Sequence, residues 1–285
     1  MPHTHSLDFA LDLAPLIVIA GKGGVGKSYV AHRLATALST AGEHVAVVRF
    51  ANDSRAFEKS NALYERVLLS PEHCFTEQAA RIIGSRRLAR TVLEHRAIRR
   101  ALVVVPGVRE VAMLMSLTEL THRYDRVVAD LPATGHSESW LRAPQLLLGV
   151  VDGGRAATMT EALTQHLSDP SRTSFVAVTT PEPFVLKETQ RLCDNVRAGS
   201  NVETAAVVLN RAPTEFGTHT RRAVWTVASS RHPAASDAAR LARALSDRHV
   251  ARAGLSETLE RLSATAPLIS LTLDDDPQTA PSQAA

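Results

Sequence analysis

Short apolar runs alternate along this chain with longer stretches in which apolar residues recur every three or four positions. Residues 16–20, 45–48, 127–129, 146–151, 175–178, 205–209 and 268–271 are the runs. Most are rich in Val and Ile and carry no charge, which predicts strands buried on both faces. Between them, Val30, Leu34 and Leu38 mark a first helix, and Gly42 stops it. Residues 55–69 and 76–120 read as helical, with breaks at Pro71, Gly84 and the pair Pro106-Gly107. Residues 236–263 read as a further helix capped by Ser236 or Asp237. Near the start, Leu7, Phe9, Leu11 and Leu13 alternate over residues 1–14, the pattern of a short strand or helix. Strands alternating with helices predict an α/β fold with a mostly parallel sheet and helices on both faces. One domain is expected over residues 1–273, with a helical insert at about 55–120. The tail, 274–285, is acidic and then rich in Pro, Gln, Ala and Ser, so it is expected to be disordered.

The first strand runs directly into Gly21-Lys22-Gly23-Gly24-Val25-Gly26-Lys27-Ser28. This fits G-x-x-x-x-G-K-[ST] between a strand and a helix, the setting a P-loop requires. Glycines lacking Cβ let backbone N–H groups turn toward phosphate oxygens, and the positive end of the helix adds attraction. Lys27 is expected on the β- and γ-phosphates and the Ser28 hydroxyl on Mg²⁺. Asp130 follows residues 127–129 at the carboxyl end of a strand, where a carboxylate holds the Mg²⁺ shell through water. A nucleoside triphosphate and Mg²⁺ are therefore expected, and the resemblance of the strings that follow to an ATPase family implies that the cofactors are ATP and Mg²⁺.

Three further strings carry a family resemblance. Lys22, one residue after the first glycine, makes the loop resemble the deviant Walker A motif of the ParA, MinD, nitrogenase-iron-protein and ArsA superfamily. The segment from Asp130 through Leu131, Pro132, Ala133, Thr134, Gly135 and His136 resembles the switch after Walker B in the ArsA and guided-entry targeting ATPases. Thr179-Thr180-Pro181-Glu182 with Lys187-Glu188-Thr189-Gln190-Arg191, and Val207-Val208-Leu209-Asn210-Arg211, resemble two later stretches of that family. The resemblance implies a P-loop NTPase-type fold and a nucleotide-sandwich homodimer, or a heterodimer with a paralogous ATPase, acting on a protein partner or client. It implies that Lys22 reaches the partner's nucleotide and that Asn210 reads the adenine edge. From the residues alone, His136 is equally a helix cap or a polar surface group, Asn210 a turn residue, and Glu188 the start of a helix face.

The chain departs from the family after its second strand. Where the family places a water-positioning Asp, this sequence has Arg49-Phe50-Ala51-Asn52-Asp53, and simple register sets Ala51 there. Asp53 takes that role only if the loop is shifted. Tyr29 replaces a second P-loop Thr. Phosphoryl transfer depends on positioning and electrostatics, so hydrolysis is expected to be slow while binding persists. A nucleotide-binding regulator that hydrolyses little is the alternative.

Composition narrows the classes further. A net charge of +3 is too mild to argue for nucleic acid, and aromatics at 4% supply few stacking platforms, so no nucleic-acid partner is expected. Cys74 and Cys193 form no C-x-x-C pair, which fits a reducing, cytoplasmic setting and no thiolate metal site. No apolar run has the length of a membrane span, and residues 1–20 lack a basic segment before an apolar core. Residues 81–100 hold Arg81, Arg86, Arg87, Arg90, Arg96, Arg99 and Arg100 against Glu94 alone. Leu88, Val92, Leu93, Ile98 and Leu102 are the expected buried stripe beneath them. The basic face is either merely solvated or meets an acidic protein or anionic lipid. Met113 and Met115 belong to a core or to an adaptable apolar groove.

Overall fold

The computed structural model describes residues 8–50, 63–95, 107–132, 137–212, 225–227, 229, 236–240 and 258–272. The strands are β1 (Leu16–Gly21), β2 (Val45–Phe50), β3 (Glu65–Leu69), β4 (Arg126–Asp130), β5 (Thr173–Thr179), β6 (Thr204–Ala212) and β7 (Leu268–Thr272). They form one seven-stranded sheet in the order β3-β2-β4-β1-β5-β6-β7, and every pairing is parallel. The helices are α1 (Lys27–Thr40), α2 (Pro71–Ile83), α3 (Arg86–Glu94), α4 (Val108–Leu120), α5 (Ser137–Leu148), α6 (Gly154–Ser168) and α7 (Pro183–Ser200), after a 3-10 turn at Asp8–Asp12.

All six residues of β1 and of β2 are buried, which is why these strands read as unbroken apolar runs. Alternate side chains then feed two cores. Ile17, Ile19, Val45, Val47, Val128 and Val176 pack beneath Val30, Leu34 and Leu38 of α1. On the opposite face, Leu16, Val18, Val48, Val127 and Phe175 meet Leu114 and Leu117 of α4, Leu141 of α5 and Leu186 of α7. Leu34, Leu38, Leu114 and Leu117 are fully enclosed. Met113 and Met115 lie in this second core, so packing accounts for both.

β1 has β4 on one side and β5 on the other. From β1 the chain passes over β4 to β2, whereas β5 to β7 build outward in the other direction. The crevice at the carboxyl ends of β4, β1 and β5 is thus a topological switch point, where open α/β sheets hold ligands.

Four expectations from the sequence are corrected. Residues 65–69 are not helical but an edge strand on β2, with Arg66 opposite Val47 and Leu68 opposite Arg49. Only Leu69 is buried there, and charged residues with a mostly exposed surface are what an edge strand carries. Residues 146–151 are not a strand: Leu146 to Leu148 end α5 and a turn follows, with Leu146 and Val150 exposed. A short apolar run without alternation fits a helix end equally well. The buried stripe expected on the Arg-rich segment is absent in α3, where Leu88 and Val92 are exposed and Ala89 is the buried residue. Ile98 and Leu102 lie outside the described residues, as do the tail 274–285 and residues 241–257 of the expected last helix. The helix expected from residue 76 instead starts at Pro71, where Ser70 caps it by accepting from the His73 N–H.

α6 buries His166 on the second core's side. Burial, and then Arg172 and His122, push its pKa down to about 4. Its Nε2 has no hydrogen-bond partner among the described residues. The folded chain therefore holds this imidazole neutral, while the unfolded chain takes up a proton below about 6.5. Stability from this group is complete above pH 6.5, falls as pH drops toward 4, and levels off below that, a loss of about 3 kcal/mol at most. Urea titrations at pH 7 and pH 4.5 should show His166→Gln losing less stability than wild type over that interval. An equal loss would remove His166 as the cause.

Candidate functional site

The P-loop is a bridge from the end of β1 to the first turn of α1. Gly21 pairs with Val178 of β5 at a φ of +152°, and a Cβ there would lie 2.3 Å from the Val178 carbonyl oxygen. Gly26 caps α1 with φ at +92°, and a Cβ there would lie 2.3 Å from Asn210 Nδ2. At Gly21 the obstacle is backbone, which leaves no room for a larger residue; at Gly26 it is the end of the Asn210 side chain, and the left-handed φ is what favours glycine. Gly23 and Gly24 are exposed at its crest, and Val25 is anchored in the α1-side core.

Lys27 is buried at the base of the loop. Its Nζ donates to the Gly21 carbonyl at 3.0 Å and the Lys22 carbonyl at 3.3 Å. Ser28 Oγ donates to Asp130 Oδ2 at 2.6 Å. Asp130 ends β4 opposite Ile19 of β1, so the sheet's register sets this carboxylate beside the start of α1. These residues, 102 apart in sequence, meet as the motifs require. A hydroxyl and a carboxylate converging at the foot of a phosphate-type loop are hard oxygen donors that fit Mg²⁺. Among the described residues no group of three or more His, Cys, Asp or Glu forms an all-protein metal cage, so a nucleotide and water would complete such a shell.

Asn210 is buried at the carboxyl end of β6. Its Nδ2 donates to the Val25 carbonyl at 2.8 Å, and its Oδ1 accepts from the Arg211 N–H. It braces the P-loop directly, and one amide hydrogen and one lone pair remain for a ligand. Tyr29 lies on the first turn of α1 and accepts from Arg33 through its hydroxyl at 2.9 Å. Lys22 is held within its own chain: Nζ pairs with Glu188 of α7 at 2.9 Å and sits 3.9 Å over the Phe184 ring. Thr180, at the end of β5, is buried nearby in sequence to that helix's start. Ala51, Asn52 and Asp53, and Ala133, Thr134, Gly135 and His136, lie outside the described residues.

Sequence reasoning missed one member of the site. Arg49, in β2, is buried and its Nε lies 3.4 Å from Asp130 Oδ2. His32 stands one turn after Ser28 on α1 and shares a hydrogen bond with the Tyr64 hydroxyl. Burial, then Arg49 and Arg66, lower the His32 pKa, while Asp130 opposes the shift. The signal was present in the sequence. Arg49 directly follows the apolar run 45–48, and a charge that continues a buried strand demands a buried counter-charge, which Asp130 on the adjacent strand supplies.

The all-parallel sheet, the switch-point crevice and this loop together define a P-loop nucleotide-binding domain of the α/β class. Residues 16–224 match the model of the CobQ/CobB/MinD/ParA nucleotide binding domain, and the chain belongs to that family. Among curated proteins it is similar to the ATPase ASNA1 homolog of Babesia bovis, 24% identical over 238 residues, covering 68% of this chain and 65% of that protein. It is 23% identical to ATPase BagA of Mycobacterium tuberculosis over 221 residues, covering 69% of this chain and 64% of the relative. A Halobacterium salinarum protein provisionally named an arsenical pump-driving ATPase is 26% identical over 232 residues, 70% of this chain and 36% of its own length. The chain thus spans less than two thirds of the length of these relatives. Their names agree with the resemblance carried by Lys22 and the later motifs.

Among the described residues no helix is long and apolar enough to cross a membrane.

Proposed function

We propose that this domain binds ATP with Mg²⁺, hydrolyses it slowly, and uses the bound state to control pairing of two such domains around a protein partner. The carrying observation is the assembled phosphate cradle: Lys27 folded under the loop and Ser28 bonded to Asp130. Lys27 takes the β- and γ-phosphates, the loop's N–H groups wrap them, and Ser28 and Asp130 hold the Mg²⁺. The ion neutralises phosphate charge when bound. Asn210 sits between loop and sheet with amide capacity to spare, which supports an adenine contact. The names of the relatives support ATPase chemistry. A cytoplasmic location and a protein client belong to the same reading.

Lys22 is the residue through which pairing would act. Its contact with Glu188 is about one-third exposed on both sides, so it is a weak tether in water. Exchange of Glu188 for a partner's phosphate replaces a screened ion pair with a charge-assisted bond to a stronger anion. The partner is a second copy or a paralogous ATPase. Light scattering at tens of micromolar should show a monomer shifting toward dimer with a non-hydrolysable ATP analogue. Lys22→Ala should reduce that shift about tenfold or more in apparent association constant. An analogue-bound wild type that stays monomeric at this concentration would rule out homodimerisation.

A second reading, a regulator that binds ATP without turning it over, is favoured by the sequence Arg49-Phe50-Ala51, which has no carboxylate where the resembled family has Asp. No carboxylate stands at that register, and only Asp53 could serve, through a shifted loop. Asp53→Asn lowers the hydrolysis rate if Asp53 is the water-positioning group and leaves it unchanged under the regulator reading.

A further inference from the structure

A cavity of about 290 Å³ opens between α2, α4 and α6. Arg172 borders it directly before β5, and His122 borders it between α4 and β4, so it lies toward the amino ends of the strands. The P-loop leaves the carboxyl end of β1, and the two places are separate. The volume is at the small end of ligand pockets, which run roughly 300–1,000 Å³. Two buried side chains that line it each keep a polar atom with no hydrogen bond among the described residues. The first is Gln78 Oε1. Gln78 Nε2 donates to Glu119 Oε1 at 2.9 Å and to Ser116 Oγ at 3.3 Å. A carboxylate only accepts, so the amide nitrogen must face Glu119, and turning the amide over would set oxygen against oxygen. The second atom is Nε2 of His166. Gln78 is 3% exposed and His166 8%. Buried polar atoms without partners are rare in folded proteins, and two on one cavity point to a ligand. Their surroundings differ in charge. Arg172 and His122 act on His166. The acid on that side, Asp169, accepts from the Ser171 hydroxyl at 2.6 Å and its N–H at 2.9 Å. Beside Gln78 stands Glu119, which also pairs with Arg81 at 2.6 Å. Met115, Met159 and Leu163 supply apolar wall.

We propose that this cavity is a second ligand site, built for a small carboxylate that also carries a hydrogen-bond donor and a short apolar chain, the chemistry of a free aliphatic amino acid. The Arg172 guanidinium takes the carboxylate in its planar fork. His166, in the tautomer with its proton on Nε2, donates to the same group. Gln78 Oε1 accepts from the ligand's ammonium, and the Glu119 carboxylate beside it favours that charge. The two methionines adapt their shape to the aliphatic chain. Glu119 also weighs against a phosphate, whose extra negative charge would meet it inside a small cavity. The site shares no residue with the P-loop cradle, so it stands whether or not that loop holds nucleotide.

The test is titration of the full chain with L-leucine, with 4-methylpentanoate, which lacks the ammonium, and with leucinamide, which lacks the carboxylate. Binding is read by calorimetry and from the His166 imidazole resonances, assigned by their loss in His166→Gln. L-leucine should saturate with a dissociation constant of about 1 mM or tighter and shift the His166 signals. Each truncated probe should bind at least about fivefold more weakly. Arg172→Gln alters an exposed residue and should weaken L-leucine about tenfold. Gln78→Met keeps the volume, removes the acceptor and should weaken L-leucine about fivefold. Circular dichroism and thermal melts establish that each variant is folded, and if Gln78→Met is not, Arg172→Gln and the three probes decide. No shift of the His166 signals at about 20 mM L-leucine would mean that water alone answers the two buried atoms, and overturns the proposal. Equal affinity for the three probes, or unchanged L-leucine affinity in Arg172→Gln, overturns it too.

Discussion

Gly21→Ala should destabilise this protein more than any other single methyl added to the P-loop strand. The new Cβ would lie 2.3 Å from the Val178 carbonyl oxygen, at a φ of +152° that a residue with a Cβ rarely adopts. The obstacle is backbone in the adjoining strand, and no side-chain rotation relieves it. Relief requires β1 and β5 to part at the centre of the sheet, where both are fully buried. Strain and lost pairing of this kind cost roughly 3–5 kcal/mol. That is a large share of the roughly 5–15 kcal/mol by which domains are stable. Urea denaturation should show that loss, with Gly149→Ala as control. A Cβ at Gly149 meets nothing closer than 3.4 Å, so its change should stay within about 1 kcal/mol. Equal stabilities for the two variants would contradict the packing described at the end of β1.

Lys27→Ala should leave the fold intact and remove nucleotide binding. Without a ligand, Lys27 Nζ donates to two carbonyls of the loop itself, and the helix that carries it keeps its own core contacts through Val30, Leu34 and Leu38. With a triphosphate bound as proposed, the same ammonium would meet the β- and γ-phosphates. Truncating one partner of a buried charge-assisted contact costs roughly 3–4 kcal/mol, or a factor of about 100–1,000 in affinity. Fluorescence titration with a labelled ATP analogue should give that ratio, while the far-ultraviolet spectrum of the variant stays that of wild type. A loss under about fivefold would mean that the loop does not cradle phosphate.

The sequence carried most of the sheet and the centre of the site, for physical reasons. The strands at 16–20, 45–48, 127–129, 175–178 and 205–209 lie inside a parallel sheet, and such strands are apolar on both faces, whereas 268–271 is the other edge, where Leu271 is buried and Ser270 exposed. The P-loop is legible because it is built from backbone, and backbone approach leaves glycines at fixed spacing. Asp130 is legible because a strand's end is marked by its first charge. The edge strand β3 was not, because an edge tolerates charge and needs no alternation. The end of α5 was not, because three leucines before a glycine carry no periodicity. The arginines of α3 were legible only as charge. Arg86 pairs with Glu77 of α2, and Arg81 pairs with Glu119 of α4, so part of that basic face is answered within the chain. Arg49 with Asp130, and Lys22 with Glu188, depend on which strands and helices become neighbours, and topology decides that.

The most direct measurement is calorimetric titration of the folded wild-type chain with ATP in the presence of Mg²⁺. The account predicts saturable binding at about one site per chain with a dissociation constant of about micromolar or tighter. Absence of binding heat with ATP, ADP and a non-hydrolysable analogue alike, at protein concentrations of tens of micromolar (about tenfold or more above that constant), would contradict it.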